Sequence, residues 1–277
     1  MKAIYLCLAV ILLAACNVEQ ESSTVAQPAD RSKFCPDAEK QKLLKIIEGG
    51  WVNEKYIELF NRFRSPMTVA ATDLFLQQVA FDISNVSGDT LLNALGRLNC
   101  NEGERFDVIF YKNKNGVTVM KLVENRNEPE KSFDLDYEIK GMDTVLIING
   151  VKNNIVQTAR FQRQFRRILS ADEVPVTAME YYVNKALFSG EWKMNGTEIL
   201  FNENGHVKNF RSYHHYSVST RDDEAASRPD EISFYSDTSG VTYAFTVKSN
   251  RIQLYELFHA EDGMSFSRGR MIGELKR

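Results

Sequence analysis

The sequence predicts a mainly β protein with a few helices: two tandem antiparallel meanders, each rolled into a barrel or a curled sheet and each preceded by a helix. Three observations predict it. A helix–Gly–Trp pattern occurs twice, at 37–51 and at 177–192. Short strand-like runs follow each tryptophan. Turn-forming stretches such as Asn113-Lys114-Asn115-Gly116 and Asp237-Thr238-Ser239-Gly240 separate the runs. The 277 residues, 43% hydrophobic and 26% charged, suit two domains and exclude a disordered or collagenous chain. With 34 Lys+Arg against 37 Asp+Glu the net charge is −3, so the basic footprint of a nucleic-acid binder is missing.

The chain opens MKAIYLCLAVILLAACNVEQ, with Lys2 the sole charge before Glu19 and an unbroken apolar run of fourteen residues at 3–16. A spanning helix needs roughly 20, so the run reads as a signal-peptide core, residues 1–15, with a short membrane anchor as the alternative. Leu13-Ala14-Ala15-Cys16 resembles the lipobox of bacterial lipoproteins. The resemblance implies cleavage before Cys16 and acylation of that cysteine, palmitate being a typical chain. Several acyl chains hold a protein stably where one holds it only marginally. Asn17 in place of an aspartate resembles the outer-membrane address of Gram-negative members. The implied location is the cell envelope, lipid-anchored to the outer membrane on its periplasmic or surface side. Residues 16–33 have no periodic apolar pattern and read as a flexible tether.

Once Cys7 leaves with the leader and Cys16 carries lipid, Cys35 and Cys100 remain. An oxidising envelope favours a disulfide between them, worth about 4 kcal/mol for so long a loop. Two buried free thiols or a metal pair are the alternatives, the second without metal-ligand spacing.

The first domain is expected at 34–168. Pro36 starts a helix that Gly49-Gly50 stops. After Trp51, residues 52–66 read as a helical insert, with Asn53 as cap and Tyr56, Ile57, Leu59, Phe60 and Phe63 on one face. Strands follow at 79–83, 90–95, 105–112, 117–124, 133–140, 144–149 and 155–165. A linker helix is expected within 169–189, opened by the capping box Thr177-Ala178-Met179-Glu180. The second domain, 190–277, has runs at 197–201, 231–236, 241–248, 251–258 and 265–275, with a weaker one at 207–218. Tyr243, Phe245 and Val247 alternate with Thr242, Ala244 and Thr246, the period of a strand with one buried face. About 90 residues is short for eight strands, so an open or incomplete barrel is the alternative there.

Gly49-Gly50-Trp51 and Gly190-Glu191-Trp192 resemble the opening strand of lipocalin-like domains. That resemblance implies a barrel floor at Trp51 and Trp192, each closed by an arginine from the last strand through a cation–π stack. Arg268 or Arg270 would serve Trp192, and Arg160 or Arg163 would serve Trp51. It also suggests a small-ligand cup in the second barrel, lined by Phe201, Phe234, Tyr243, Phe245 and Tyr255. A barrel filled by those same side chains is the alternative.

No Gly-x-Ser-x-Gly, His-Glu-x-x-His, Walker loop or Cys-x-x-Cys occurs. No catalytic residue, cofactor or metal is assigned. His206, His214, His215 and His259 read as surface or interface residues, because adjacent His214 and His215 point to opposite faces of a strand. Asp134 and Asp136 read as the wet side of a strand, and Asp222-Asp223 as a solvated loop. The expected function is non-enzymatic: a membrane-anchored envelope lipoprotein that binds a small apolar or amphipathic ligand, or an envelope protein. The alternative is a structural or interaction lipoprotein with filled barrels and no small-molecule ligand.

Overall fold

The structure, a computed structural model, describes residues 37–72, 74–97, 104–124, 132–152, 155–166, 177–220, 228–259 and 266–277. Helix α1 (Asp37–Ile47) leads into β1 (Gly49–Asn53). Two short helices, α2 (Glu54–Phe63) and α3 (Pro66–Ala70), separate β1 from β2 (Gln78–Phe81). The chain continues through β3 (Val86–Ser87), β4 (Thr90–Arg97), β5 (Glu104–Lys112), β6 (Thr118–Val123), β7 (Ser132–Lys140), β8 (Asp143–Lys152) and β9 (Ile155–Phe165). Helix α4 (Ala178–Val183) continues as a π turn (Asn184–Phe188) into β10 (Gly190–Met194) and β11 (Thr197–Phe201). The remaining strands are β12 (His206–Phe210), β13 (Tyr213–Val218), β14 (Asp230–Tyr235), β15 (Gly240–Lys248), β16 (Arg251–His259) and β17 (Phe266–Lys276).

Both meanders close into antiparallel barrels. In the first, the order β2-β1-β9-β8-β7-β6-β5-β4 is sealed by β2 pairing with β4, Val79 opposite Gly96; β3 adds a short hairpin to β4. In the second, β10 to β17 run in chain order, and β10 meets β17 at Lys193 opposite Lys276. The mainly β fold with a helix before each barrel is therefore as the sequence predicts, and neither sheet is left open. Eight strands fit between Gly190 and Lys276 because β10 to β14 are only five or six residues long. The weak run at 207–218 is in fact two strands. Asn209 and Arg211 take left-handed backbone, φ 62° and 54°, and turn the chain between β12 and β13.

Asparagine side chains build two of the other turns. Between β5 and β6, Asn113 Oδ1 accepts from the N–H groups of Asn115 (2.9 Å) and Val117 (3.0 Å). Between β11 and β12, Asn202 Oδ1 accepts from those of Asn204 (3.0 Å) and His206 (2.9 Å). Each replaces a missing backbone partner, which is why asparagine suits the position.

The helical insert, expected as one helix at 52–66, is two helices that run on to Ala70 and break at Arg64 and Ser65. Asn53 caps α2 as expected, its Oδ1 accepting from Lys55 N–H at 2.8 Å. Its Nδ2 donates to Leu76 O at 2.8 Å and so ties the insert's start to its return. Helix α2 stops at Phe63 because Arg64 turns left-handed; Ser65 then caps α3, with Pro66 in its first turn.

The first barrel has its own core, built from Trp51, Phe81, Phe106, Phe110, Phe161 and their neighbours, with Leu43, Leu44 and Ile47 of α1 packed on it. The apolar face of α2 turns elsewhere. Tyr56, Ile57 and Phe60 are buried in one cluster with α4 and the interior of the second barrel. Phe60 meets Tyr182 edge-on at 5.5 Å, and the Tyr182 hydroxyl donates to Asn61 Oδ1 at 3.0 Å. Arg64 Nη2 donates to Ala186 O at 3.0 Å. Helix α4 lies on β1, β2 and β9 as well, with Met179 N–H donating to Gln78 Oε1 at 3.0 Å. The segment read as a linker is thus a wedge shared by both barrels. Burying aromatics of this size stabilises by about 1.5–3 kcal/mol each, so the joint between barrels is part of the folded core.

Candidate functional site

The two barrels are closed at the helix end by the same device. The Trp51 indole N–H donates to Ile47 O, four residues earlier, at 2.7 Å; that of Trp192 donates to Phe188 O, also four residues earlier, at 2.5 Å. Each indole therefore satisfies a carbonyl at a helix end that has no partner within its helix. Two residues before each tryptophan is a glycine with positive φ, Gly49 at 109° and Gly190 at 117°. That backbone lets the chain leave the helix and enter the strand at once. A guanidinium lies over each ring: Arg163 at 4.4 Å from Trp51 and Arg277 at 4.6 Å from Trp192. Arg163 Nη2 donates to Ile46 O, and Arg277 Nη2 to Leu187 O (3.5 Å) and Ser189 O (2.9 Å). Burial, and secondarily the charge of Arg166, pulls the Arg163 guanidinium below its ordinary pKa, with Glu48 acting the other way. It remains charged at neutral pH.

Arg163 is one of the two residues expected on Trp51; Arg160 instead bridges Glu138 (2.7 Å) and Glu54 (3.4 Å) on the surface. In the second barrel the expectation fails. Neither Arg268 nor Arg270 lies on Trp192. Arg270, its side chain 81% exposed, pairs with Glu256 at 3.0 Å. Strand β17 pairs with β10 at Lys276 opposite Lys193, and the residue that reaches Trp192 is the next one, Arg277. Arg270 is seven residues earlier, about 23 Å along a strand. The deciding signal is position: the closing arginine lies within about two residues of the last strand's end, on either side of it.

Four of the five expected cup residues are brought together, and they fill the barrel. Phe201, Phe234, Tyr243 and Phe245 are buried. Phe234 stacks on Phe210 at 4.1 Å between centroids and also meets Phe201 (6.2 Å) and Tyr243 (6.1 Å). At the helix end, Phe188 plugs the interior against Phe201, Tyr216 and Phe245, at 5.4–5.8 Å. At the other end, Arg211 Nη1 donates to the Tyr243 hydroxyl at 2.8 Å. The fifth residue, Tyr255, is a correction. Ile252 and Leu254 point inward, so alternation sends Tyr255 to the outer face, where its hydroxyl donates to Gln253 Oε1 at 2.9 Å. An open cleft of about 930 Å³ lies at the first barrel, between α1 and strands β5–β7, with Glu39, Leu43, Tyr111, Asp136 and Tyr137 among its walls.

Polar chemistry is sparse among the described residues. No three His, Cys, Asp or Glu side chains there form a group fit for a metal ion. Asp134 and Asp136 are exposed on β7, as expected, and Asp136 Oδ1 accepts from Tyr137 N–H at 2.7 Å. His215 faces His206, ring centroids 4.7 Å apart. Burial first, then the neighbouring His206 and His214, hold the His215 pKa below the usual imidazole range, with Asp237 acting the other way. One buried carboxylate stands out and was not anticipated. Asp230 Oδ1, at the start of β14, accepts from Ser65 Oγ (2.9 Å) and Met67 N–H (3.0 Å), so the second barrel caps α3 of the first domain's insert. Burial raises its pKa; the hydrogen bonds from Met67 and Ser65, and the charge of Arg268, act against the rise.

Cys16, Cys35, Cys100 and the pair Asp222-Asp223 of the lipidation, disulfide and loop expectations lie outside the described residues. Among the described residues no helix is long and apolar enough to cross a membrane. The fold and its closures define a protein of two closed antiparallel barrels joined by a common helical wedge, the second packed with aromatic side chains. No known protein family, no curated protein and no solved structure matches the chain.

Proposed function

We propose that this chain is a lipid-anchored envelope protein of the interaction class: two filled barrels, tethered through Cys16, that offer their outer surface to a partner protein and carry no small molecule inside. The observation that carries this reading is the packing of the second barrel, where Phe188, Phe201, Phe234 and Phe245 occupy the space a ligand would need. A carrier keeps a cavity of some 300 Å³ or more for its cargo. The anchoring part of the reading rests on Leu13-Ala14-Ala15-Cys16 and its resemblance to a lipobox. The surface supports a binding role. At the β8–β9 turn Val151 faces Val156, and with Ile155 these apolar side chains stand 63–74% exposed. Exposed apolar groups gathered at one place mark interaction surfaces more often than chance solvent contact does.

Two experiments test it. Trp192 fluorescence of the full chain is followed while a long-chain fatty acid or a retinoid-like probe is added. No saturable quenching is expected; saturable quenching that Phe245→Ala abolishes would return the cup reading. Cross-linking in envelope preparations is then compared for the wild type and a Val151→Asp/Val156→Asp variant, with Cys16→Ala as a second arm. The expected result is one adduct that the double variant loses, and release of the Cys16→Ala protein from membranes. An adduct that survives the double variant would overturn the assignment of the surface.

A further inference from the structure

His206 and His215 carry chemistry that neither the floors nor the joint uses. They are register partners on β12 and β13. Val207 and Tyr216 are buried inside the barrel, so alternation puts both histidines on its outer wall. Their centroids are 4.7 Å apart with the planes at 51°. Both backbones are pinned. His206 N–H donates to Asn202 Oδ1 at 2.9 Å, and Tyr216 N–H, next to His215, donates to Gly205 O at 2.7 Å. Nδ1 of His215 is shielded from water and has no hydrogen-bond partner among the described residues. A ring nitrogen left without a partner costs free energy, which a bound cation would relieve. Asp237, in the turn after β14, acts on His215 as a nearby negative charge, and His214 is the other titratable group beside it.

We propose that His206 and His215 form a two-histidine site on the outer wall of the second barrel for a borderline divalent cation such as Cu²⁺, Ni²⁺ or Zn²⁺. Neutral imidazole suits these ions. The two rings supply two ligands, and water completes the shell. A site with only two fixed protein ligands is open and of moderate affinity, unlike the closed four-ligand sites that hold structural zinc. This proposal is independent of the partner-binding reading.

The test is titration of the chelator-treated full chain with Cu²⁺, read by electron paramagnetic resonance and by the thermal unfolding midpoint. One equivalent with nitrogen hyperfine structure from two imidazoles is expected, together with a raised midpoint. His206→Gln and His215→Gln, which keep a polar side chain at each position, should each lose about tenfold or more in affinity; His214→Gln should bind like the wild type. Far-ultraviolet circular dichroism establishes that the variants are folded. Should a variant not fold, the wild-type spectrum decides alone: a signal without two imidazole nitrogens overturns the proposal. So does binding that both glutamine variants retain, or the absence of a saturable equivalent in the wild type.

Discussion

Arg277 lies 4.6 Å over the ring of Trp192 and hydrogen-bonds the carbonyl of Ser189, closing the floor of the second barrel from a position just beyond its last strand. Arg163 lies over Trp51 in the first barrel in the same way, from inside β9, without a counterpart of the Ser189 hydrogen bond among those described. In each case the guanidinium also reaches the carbonyl five residues before the tryptophan, Ile46 or Leu187. A partly buried cation–π contact of this kind contributes about 0.5–2 kcal/mol, and the hydrogen bonds add to it. Arg277→Ala should therefore destabilise the protein by about 1–3 kcal/mol in urea unfolding. Arg277→Lys should recover only part of that, since an ammonium cannot both stack flat and fork to carbonyls. Arg270→Ala should stay within about 0.5 kcal/mol of wild type. Equal losses for Arg270→Ala and Arg277→Ala would contradict this account of the floor.

The two floor glycines make a matched pair. Both have strongly positive φ, so an added Cβ strains the backbone at either position. At Gly190 that Cβ would meet nothing within 4 Å, whereas at Gly49 it would sit 2.0 Å from Phe165 O. Gly190→Ala should cost about 1–3 kcal/mol from backbone strain alone. Gly49→Ala must also push β9 away and should cost clearly more. Circular dichroism melts of the two variants check the order; the reverse order would refute it.

Asp230 makes the joint between the barrels sensitive to pH. Its folded pKa is raised above the ordinary 3.8 by burial. The folded protein thus binds this proton more tightly than the unfolded chain does. By linkage, this residue's contribution weakens stability as pH rises from 3.8 through the raised folded value, and is flat above it. Asp230→Asn keeps an acceptor for Met67 N–H and Ser65 Oγ. It should fold normally and lose that part of the slope. Asp230→Ala leaves the Met67 N–H unpaired, while Ser65 Oγ keeps Thr68 Oγ1 as acceptor at 2.8 Å, and should cost about 1–3 kcal/mol. Urea unfolding at pH 4, 5.5 and 7 distinguishes the variants. A stability–pH profile for Asp230→Asn that parallels wild type would remove Asp230 as the cause.

A filled barrel also predicts what happens when it is emptied. Phe234 touches Phe201, Phe210, Tyr216 and Tyr243 at the centre of the second barrel. Phe234→Ala should cost about 3–5 kcal/mol. The cavity it leaves is apolar, and such cavities stay dry and accept benzene-sized molecules. Saturable benzene binding by the variant and none by the wild type, seen in ligand-observed NMR, is the expected result. Benzene binding by both would mean that the wild-type lumen is already hollow.

Local pattern carried much of this fold. The strand–turn–strand rhythm after each tryptophan, the cap at Asn53 and the capping box at Thr177 all depend on neighbours within a few residues. They appear in the structure nearly where the sequence places them. The inward set Phe201, Phe234, Tyr243 and Phe245 was legible for the same reason, since period two needs only the strand itself. Tyr255 falls outside that set because its phase against Ile252 and Leu254, not its aromatic character, decides its face.

Contacts between distant residues were legible only in three dimensions. The composition and the repeated helix–Gly–Trp pattern are enough to require two small β domains, because alternation and turn chemistry leave a short strand few other ways to bury its apolar face. They do not say how far β17 slides against β10, and that register alone selects Arg277 over Arg268 and Arg270. Nor do they say whose core the face of α2 completes, or that a carboxylate at residue 230 caps a helix at residue 66. An amphipathic helix records that it must cover something; which surface it covers is decided by the shape and packing of the whole chain. The same packing decides whether a barrel is hollow, since an inward phenylalanine looks identical in sequence whether it lines a cavity or fills one.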